Sequence, residues 1–253
     1  MKIVAAFDSF KGSLSAQDIV TIVGKAVRTT LPNATITELP LADGGEGTTE
    51  ALEHYLNASW QICNAHDALM RPITTKYAIS SNGTTAIMDM ASAAGLTLLS
   101  SEERNPMLTT TFGVGEMLKD AISKGCKHIL LGIGGSATND AGIGMLAALG
   151  VKFYDNHKRE VTPIGKNLKL ISSVDLSKII SLKTITIDVI CDVTNPLYGP
   201  NGAAHVYAKQ KGANSTEIIE LDNGLRHFAT LCTTNPNTVS YTHLRAHETR
   251  EDL

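Results

Sequence analysis

The stretch "HILLGIGGSATNDAGIGML" (residues 128–146) runs from an apolar strand pattern into glycines, and then into a line of small hydroxyl, amide and carboxylate side chains. A short apolar run that ends in a glycine turn is how a buried parallel strand delivers the chain to a ligand-binding edge. Gly132, Gly134 and Ala137 spell G-x-G-x-x-A, and Asp155 ends the next strand pattern about 20 residues on, the spacing of the dinucleotide fingerprint with its ribose-binding acid. Two details point elsewhere. Ser136, Thr138, Asn139 and Asp140 are polar where a helix packing on a strand favours small apolar groups. Gly142 and Gly144 follow in the expected helix, each costing roughly 1 kcal/mol relative to alanine, which implies close backbone approach to something. A hydroxyl-rich anion cradle accounts for both, with Gly134, Gly135, Ser136, Thr138 and Asn139 as its members. A nicotinamide-dependent oxidoreductase is the alternative on this window alone.

The same strand–loop–helix rhythm recurs outward from it. "KIVAAF" (2–7) is an apolar run leading into "DSFKGS" and then a helix pattern behind a Ser15 cap. "ATITEL" (34–39) leads into "PLADGGEG" and a helix opening at Thr48. "ITIDVI" (185–190) leads into "CDVTNPLYGPNGAA". Strands alternating with helices define an α/β fold with largely parallel sheets. From 58 to 90 the segments shorten and alternate, with "SSNG" as a hairpin turn between "TTKYAI" and "TTAIMDM". A domain change is expected near residue 70, giving units 1–70 and 71–238. Residues 239–253 lose both hydrophobic periods and end on charge, as a frayed or non-native tail does; the segment also resembles a translated sequencing-adapter fragment.

Composition narrows the ligand. A net charge of −3 leaves no basic excess for a phosphate backbone, and 5% aromatic content is too sparse for base stacking, so nucleic acid is not the expected partner. Four scattered cysteines without CxxC spacing suit reduced core thiols. No run approaches the roughly 18 apolar residues of a membrane span, and the N-terminus lacks a signal-peptide core, so a cytoplasmic location without membrane attachment is expected.

Each polar loop carries residues fit for small-ligand chemistry. Ser9, Lys11 and Gly12, just before a helix, suit phosphate. Asp43 and Glu46, set among glycines, can face a cation such as magnesium. Asp192, with Thr194 and Asn195 beside it, can take a proton from a substrate hydroxyl or hold magnesium, although Asp192 and Asn195 also suit caps of the Pro-Gly turns. Arg104 can hold a carboxylate bidentately, and His205 is the histidine nearest the fourth loop.

"FDSFKGSLSA" (7–16), "PLADGGEGTTEAL" (40–52), "ERNPMLTTTFGVGEML" (103–118), "LGIGGSATNDAGIGMLAALG" (131–150) and "CDVTNPLYGPNGAAHVYAKQKGA" (191–213) resemble, in order and spacing, the class I bacterial glycerate kinases. Five ordered motifs outweigh one glycine fingerprint. The resemblance implies ATP- and Mg2+-dependent phosphorylation of glycerate, with 2-phosphoglycerate as product. It also implies two α/β domains, the first flavodoxin- or Rossmann-like and assembled from both ends of the chain. Family members continue well beyond residue 235 through further glycine-rich motifs, so the first domain is expected to be incomplete here. Such a chain is expected to expose apolar surface and to be inactive, or to act only as a non-catalytic small-ligand-binding module. Oligomeric state is not specified by any motif.

Overall fold

The computed structural model describes residues 1–10, 13–53 and 55–234. Strand β1 (Lys2–Phe7), helix α1 (Ala16–Thr30) and strand β2 (Thr35–Pro40) form a crossover unit whose two strands pair in parallel, from Lys2 opposite Thr35 to Phe7 opposite Pro40. The helix starts where the sequence places it: the Ser15 hydroxyl accepts from the Asp18 N–H at 3.1 Å, and Ile19 and Val20 turn inward. Helix α2 (Thr48–Glu53) follows the second loop.

Strands β3 (Ser59–His66), β4 (Pro72–Ile79) and β5 (Thr85–Asp89) make an antiparallel meander. The β4–β5 turn is the expected "SSNG" hairpin: Gly83 adopts φ +71°, and the Asn82 side chain accepts from the Thr84 N–H at 3.0 Å. β3 lies on the N-terminal side of residue 70, so membership of the large sheet begins before that point. After α3 (Ala91–Ala94) and α4 (Phe112–Ser123) comes β6 (His128–Gly132), which pairs in parallel with β5.

Helix α5 (Ile143–Ala148) is shorter than the 139–150 pattern suggests. The cause is local: Ala141 and Gly142 hold positive φ (51° and 73°), which no continuing helix accepts. The close approach expected of the helix glycines is present at Gly144, where a Cβ would lie 2.1 Å from the Thr110 hydroxyl and 2.7 Å from the Phe112 nitrogen, but not at Gly142, where it would meet only the Met145 methyl at 3.6 Å. The small antiparallel pair β7 (Lys152–Tyr154) and β8 (Ser173–Asp175) stands apart from the main sheet. β9 (Thr186–Ile190) closes that sheet in the order β3-β4-β5-β6-β9, parallel to β6. The described chain ends with α6 (Ala203–Tyr207) and α7 (Ser215–Thr234).

Two cores hold these layers. Tyr77, Met88, Val114, Met117, Leu118 and Ile129 fill one; Ile143, Phe153, Leu168, Ile171, Leu221 and Phe228 fill the other. Full burial of each such side chain contributes roughly 1.5–3 kcal/mol. Cys63, Cys126 and Cys191 are buried, as expected of core thiols. Apolar surface is left bare at Val4 on β1 (63% exposed) and Val189 on β9 (53%). The tail from 239 lies outside the described residues. No described helix is long and apolar enough to cross a membrane.

Candidate active site

Asp89, Gly132 and Ile190 are register partners at the carboxyl ends of β5, β6 and β9, so three parallel strands discharge their loops at one edge. The Asp43–Gly47 loop, arriving from β2, is laid across this edge, and at Gly44 it is locked there by backbone contacts. Gly44, at φ +87°, leaves no room for a side chain, since a Cβ would lie 2.1 Å from the Ile190 carbonyl oxygen. Its own carbonyl accepts from the Gly134 N–H at 2.9 Å. A Cβ on Gly134 would lie 2.6 Å from the Cα of Gly45. The glycines of the two loops thus admit each other's backbones, and the Gly134 amide is already taken.

Asp89 ties the same loop from beneath. One carboxylate oxygen accepts from the Gly47 N–H at 3.1 Å; the other accepts from the Thr49 N–H at 3.1 Å and the Thr49 hydroxyl at 2.9 Å. Burial pushes its pKa up to about 6, against the lowering effect of these donors. The sequence reading passes over Asp89, although it obeys the rule that singles out Asp192: a carboxylate ending an apolar strand.

In the cradle, Ser136 and Thr138 meet a residue that the reading also missed. Lys211, 9% exposed, donates to the Ser136 hydroxyl at 2.9 Å and to the Thr138 carbonyl at 2.7 Å. Thr138 and Asn139 are buried, and the Asn139 side-chain oxygen has no hydrogen-bond partner. Asp140 does not face out of the cradle. Fully buried, it accepts from the Thr111 N–H and hydroxyl (2.8 Å each) and from the Gly142 and Gly144 N–H groups (3.2 Å each), clipping the start of α5 to α4. Burial raises its pKa.

Asp43 accepts from the Gly45 N–H at 2.8 Å through one oxygen. Glu46, Asp192 and Thr194 are exposed. Asn195 is occupied structurally, donating to the Asn201 carbonyl at 2.9 Å and accepting from the Tyr207 hydroxyl, as a turn cap does. Ser9 donates its N–H to the Asp8 carboxylate. Arg104 is half-buried, with an Nε that finds no partner. His205 is exposed on α6. Lys11 and Gly12 lie outside the described residues. Asp43, Glu46 and Asp192 do not form one ligand set: among the described residues no three His, Cys, Asp or Glu side chains gather as metal ligands.

The dinucleotide alternative fails on geometry. No helix opens at the G-x-G-x-x-A turn, since α5 begins only at Ile143, and β7, which Asp155 follows, is not in the sheet of β6. Asp155 is spent on its own turn, accepting from the His157 and Arg159 N–H groups and from Arg159 Nε at 2.8 Å.

Fold and site define an α/β protein of the class whose ligand-facing loops line the carboxyl edge of parallel strands. Comparison with known proteins narrows this. The sequence model described as the glycerate kinase family matches residues 3–246, and the chain belongs to that family. It is 43% identical over 230 residues to glycerate 2-kinase of Escherichia coli (strain K12), and 41% identical over 230 residues to glycerate kinase of Bacillus subtilis (strain 168). Each alignment covers 90% of this chain and 60% of the relative, so the chain spans about 60% of the length of these relatives. A crystal structure from Salmonella typhimurium LT2, of a protein provisionally named glycerate kinase 2, superposes with a TM-score of 0.82 at 38% identity, covering 95% of this chain and 65% of that one.

Proposed function

We propose that this chain carries the binding edge of a kinase that moves the γ-phosphoryl group of ATP onto a hydroxyl of glycerate, the 2-hydroxyl by analogy with its relative from E. coli. The observation that carries the reading is the backbone lock between Gly44 and Gly134, which sets the Asp43 loop against the start of the Asp192 loop at one strand edge. Phosphoryl transfer is chiefly positioning and charge neutralisation, and a rigid edge of this kind is what it requires.

Within the proposal Asp192 accepts the hydroxyl proton or contacts metal. Arg104, Thr194 and Asn195 serve the glycerate side, Asn195 by holding its loop. Lys11, Ser9 and Gly12, with Gly135, Ser136, Thr138 and Asn139, serve the phosphates, and Gly134 serves them by holding its loop against Gly44. Magnesium bound with a nucleotide needs only one or two protein carboxylates beside phosphate oxygens. The uncommitted oxygen of Asp43 and the exposed carboxylates of Glu46 and Asp192 fit that need. The ion would neutralise phosphate charge there. Spanning only part of its relatives' length, the chain by itself is proposed to bind these ligands, in a cytoplasmic setting, and to turn them over poorly.

Thermal unfolding tests the binding half of this. Mg-ATP at 100 times its Kd should stabilise the chain by about 2.7 kcal/mol, whereas NAD should leave the midpoint unmoved; the reverse pattern would restore the oxidoreductase. The catalytic half needs the chain extended by its gene's downstream sequence. There Asp192→Asn should lower kcat by roughly two to three orders of magnitude, the loss of one transition-state charge contact, and Lys11→Ala should raise the KM for ATP. Variants that retained both constants would remove both assignments.

A further inference from the structure

Lys211 belongs to none of the roles above, yet it sits in the last of the segments that resemble the family, at the end of the 3-10 turn Lys209–Lys211. A lysine buried to this degree ordinarily carries an anionic partner, because an ammonium without one loses its hydration uncompensated. Its partners here are a hydroxyl and a carbonyl, both neutral. The one titratable side chain whose field reaches it is Asp140, whose carboxylate already accepts from four other donors. Two of the three ammonium hydrogens are thus assigned, and one remains.

The backbone is shaped to hold the lysine there. Gly212, at φ +102°, follows it directly, and a Cβ at that position would lie 1.9 Å from the Arg104 carbonyl oxygen. The turn is therefore flush against the segment carrying Arg104. Each of the two segments that meet this turn leaves a buried polar atom without a hydrogen bond: Nε of Arg104, and the side-chain oxygen of Asn139, the residue after Thr138. Buried groups of this kind in a native fold call for a ligand or solvent.

We propose that Lys211 fixes the Ser136–Thr138 turn and presents its remaining N–H to an oxyanion of the reactants, either the carboxylate of the small acid or a phosphoryl group. The inference rests on the kinase reading, and it adds to that reading the cation of the cradle. Burial pulls the Lys211 pKa down to about 8. The amine is therefore charged when it binds at neutral pH and loses that charge just above it.

Calorimetric titration of the chain with glycerate, and separately with Mg-ATP, tests the assignment using Lys211→Met and Lys211→Arg. Loss of a hydrogen bond to a charged group should weaken one of the two ligands about 10- to 100-fold in Lys211→Met, with partial recovery in Lys211→Arg. Glycerate weakened alone identifies the carboxylate; Mg-ATP weakened alone identifies the phosphoryl group. Unchanged Kd for both ligands in Lys211→Met overturns the subsite and leaves the kinase reading standing. A parent chain that binds neither ligand overturns both. Should Lys211→Met fail to fold, the parent chain decides: affinity for the contacted ligand should fall up to tenfold per pH unit above about pH 8, and a flat profile to pH 9.5 overturns the proposal.

Discussion

Gly44→Ala should remove about 3–5 kcal/mol of unfolding free energy, a large share of the 5–15 kcal/mol that holds a typical domain together. Three effects add. An L-residue at φ +87° costs roughly 1–2 kcal/mol in strain. The added methyl would lie 2.1 Å from the Ile190 carbonyl oxygen and 3.0 Å from the Cys191 Cα, both backbone atoms of a packed strand end, so the loop itself must lift. Lifting breaks the bond from the Gly134 N–H to the Gly44 carbonyl, worth about 0.5–1.5 kcal/mol. Urea denaturation should show a lower midpoint at unchanged m, and the thermal midpoint should fall by about 10 °C or more. Gly83→Ala is the control. It shares positive φ (+71°) but meets nothing within 4 Å, so it should lose only the strain. Equal losses at the two sites would show that the contact between loops contributes nothing.

Asp89→Asn should change both the stability and its dependence on acidity. The amide can keep the two donors from Thr49 but turns an N–H toward the Gly47 amide, at a cost of about 1–3 kcal/mol. The pH effect has a definite sign. The carboxyl titrates near 6 in the folded chain, raised from 3.8 chiefly by burial and further by the negative field of Glu50. Between those values the folded state holds the proton more often than the unfolded one, so this group's contribution falls as pH rises through the window. It is fully present below about pH 4 and lost by about pH 6. The stability advantage of the parent over Asp89→Asn should therefore shrink from pH 4 to pH 7, by up to about 3 kcal/mol for a shift of this size. An advantage that grew with pH would mean that the donors outweigh burial.

Much of this was legible from local pattern. The strand ends, the Ser15 cap, the "SSNG" hairpin and the close packing at Gly144 each depend on residues near one another in the chain or on one residue's own conformational needs. What could not be read was pairing at a distance. Asp89 becomes a loop anchor only because the register sets it beside Gly132 and because the Gly47–Thr49 segment, at the start of α2, arrives above it. Lys211 reads as an ordinary surface lysine until the turn at Gly212 drives it against the glycine loop. Gly134 was read as part of an anion cradle, whereas its backbone and that of Gly44 approach each other, and nothing in the sequence says so. Asp140 was read only as part of the polar cluster for the same reason: nothing local shows that Thr111 waits for it. The acidic residues expected at a metal each stand where a carboxylate is useful, yet spacing along the chain did not bring the three together.

Because the joint between the two loops is made of main-chain atoms, the platform and its chemistry are separable. Side chains such as Asp192 and Thr194 stand exposed on this frame without holding it up. Substitutions at those positions should leave the folding of the edge unchanged, and its surface chemistry can change through side chains alone while its glycines stay fixed.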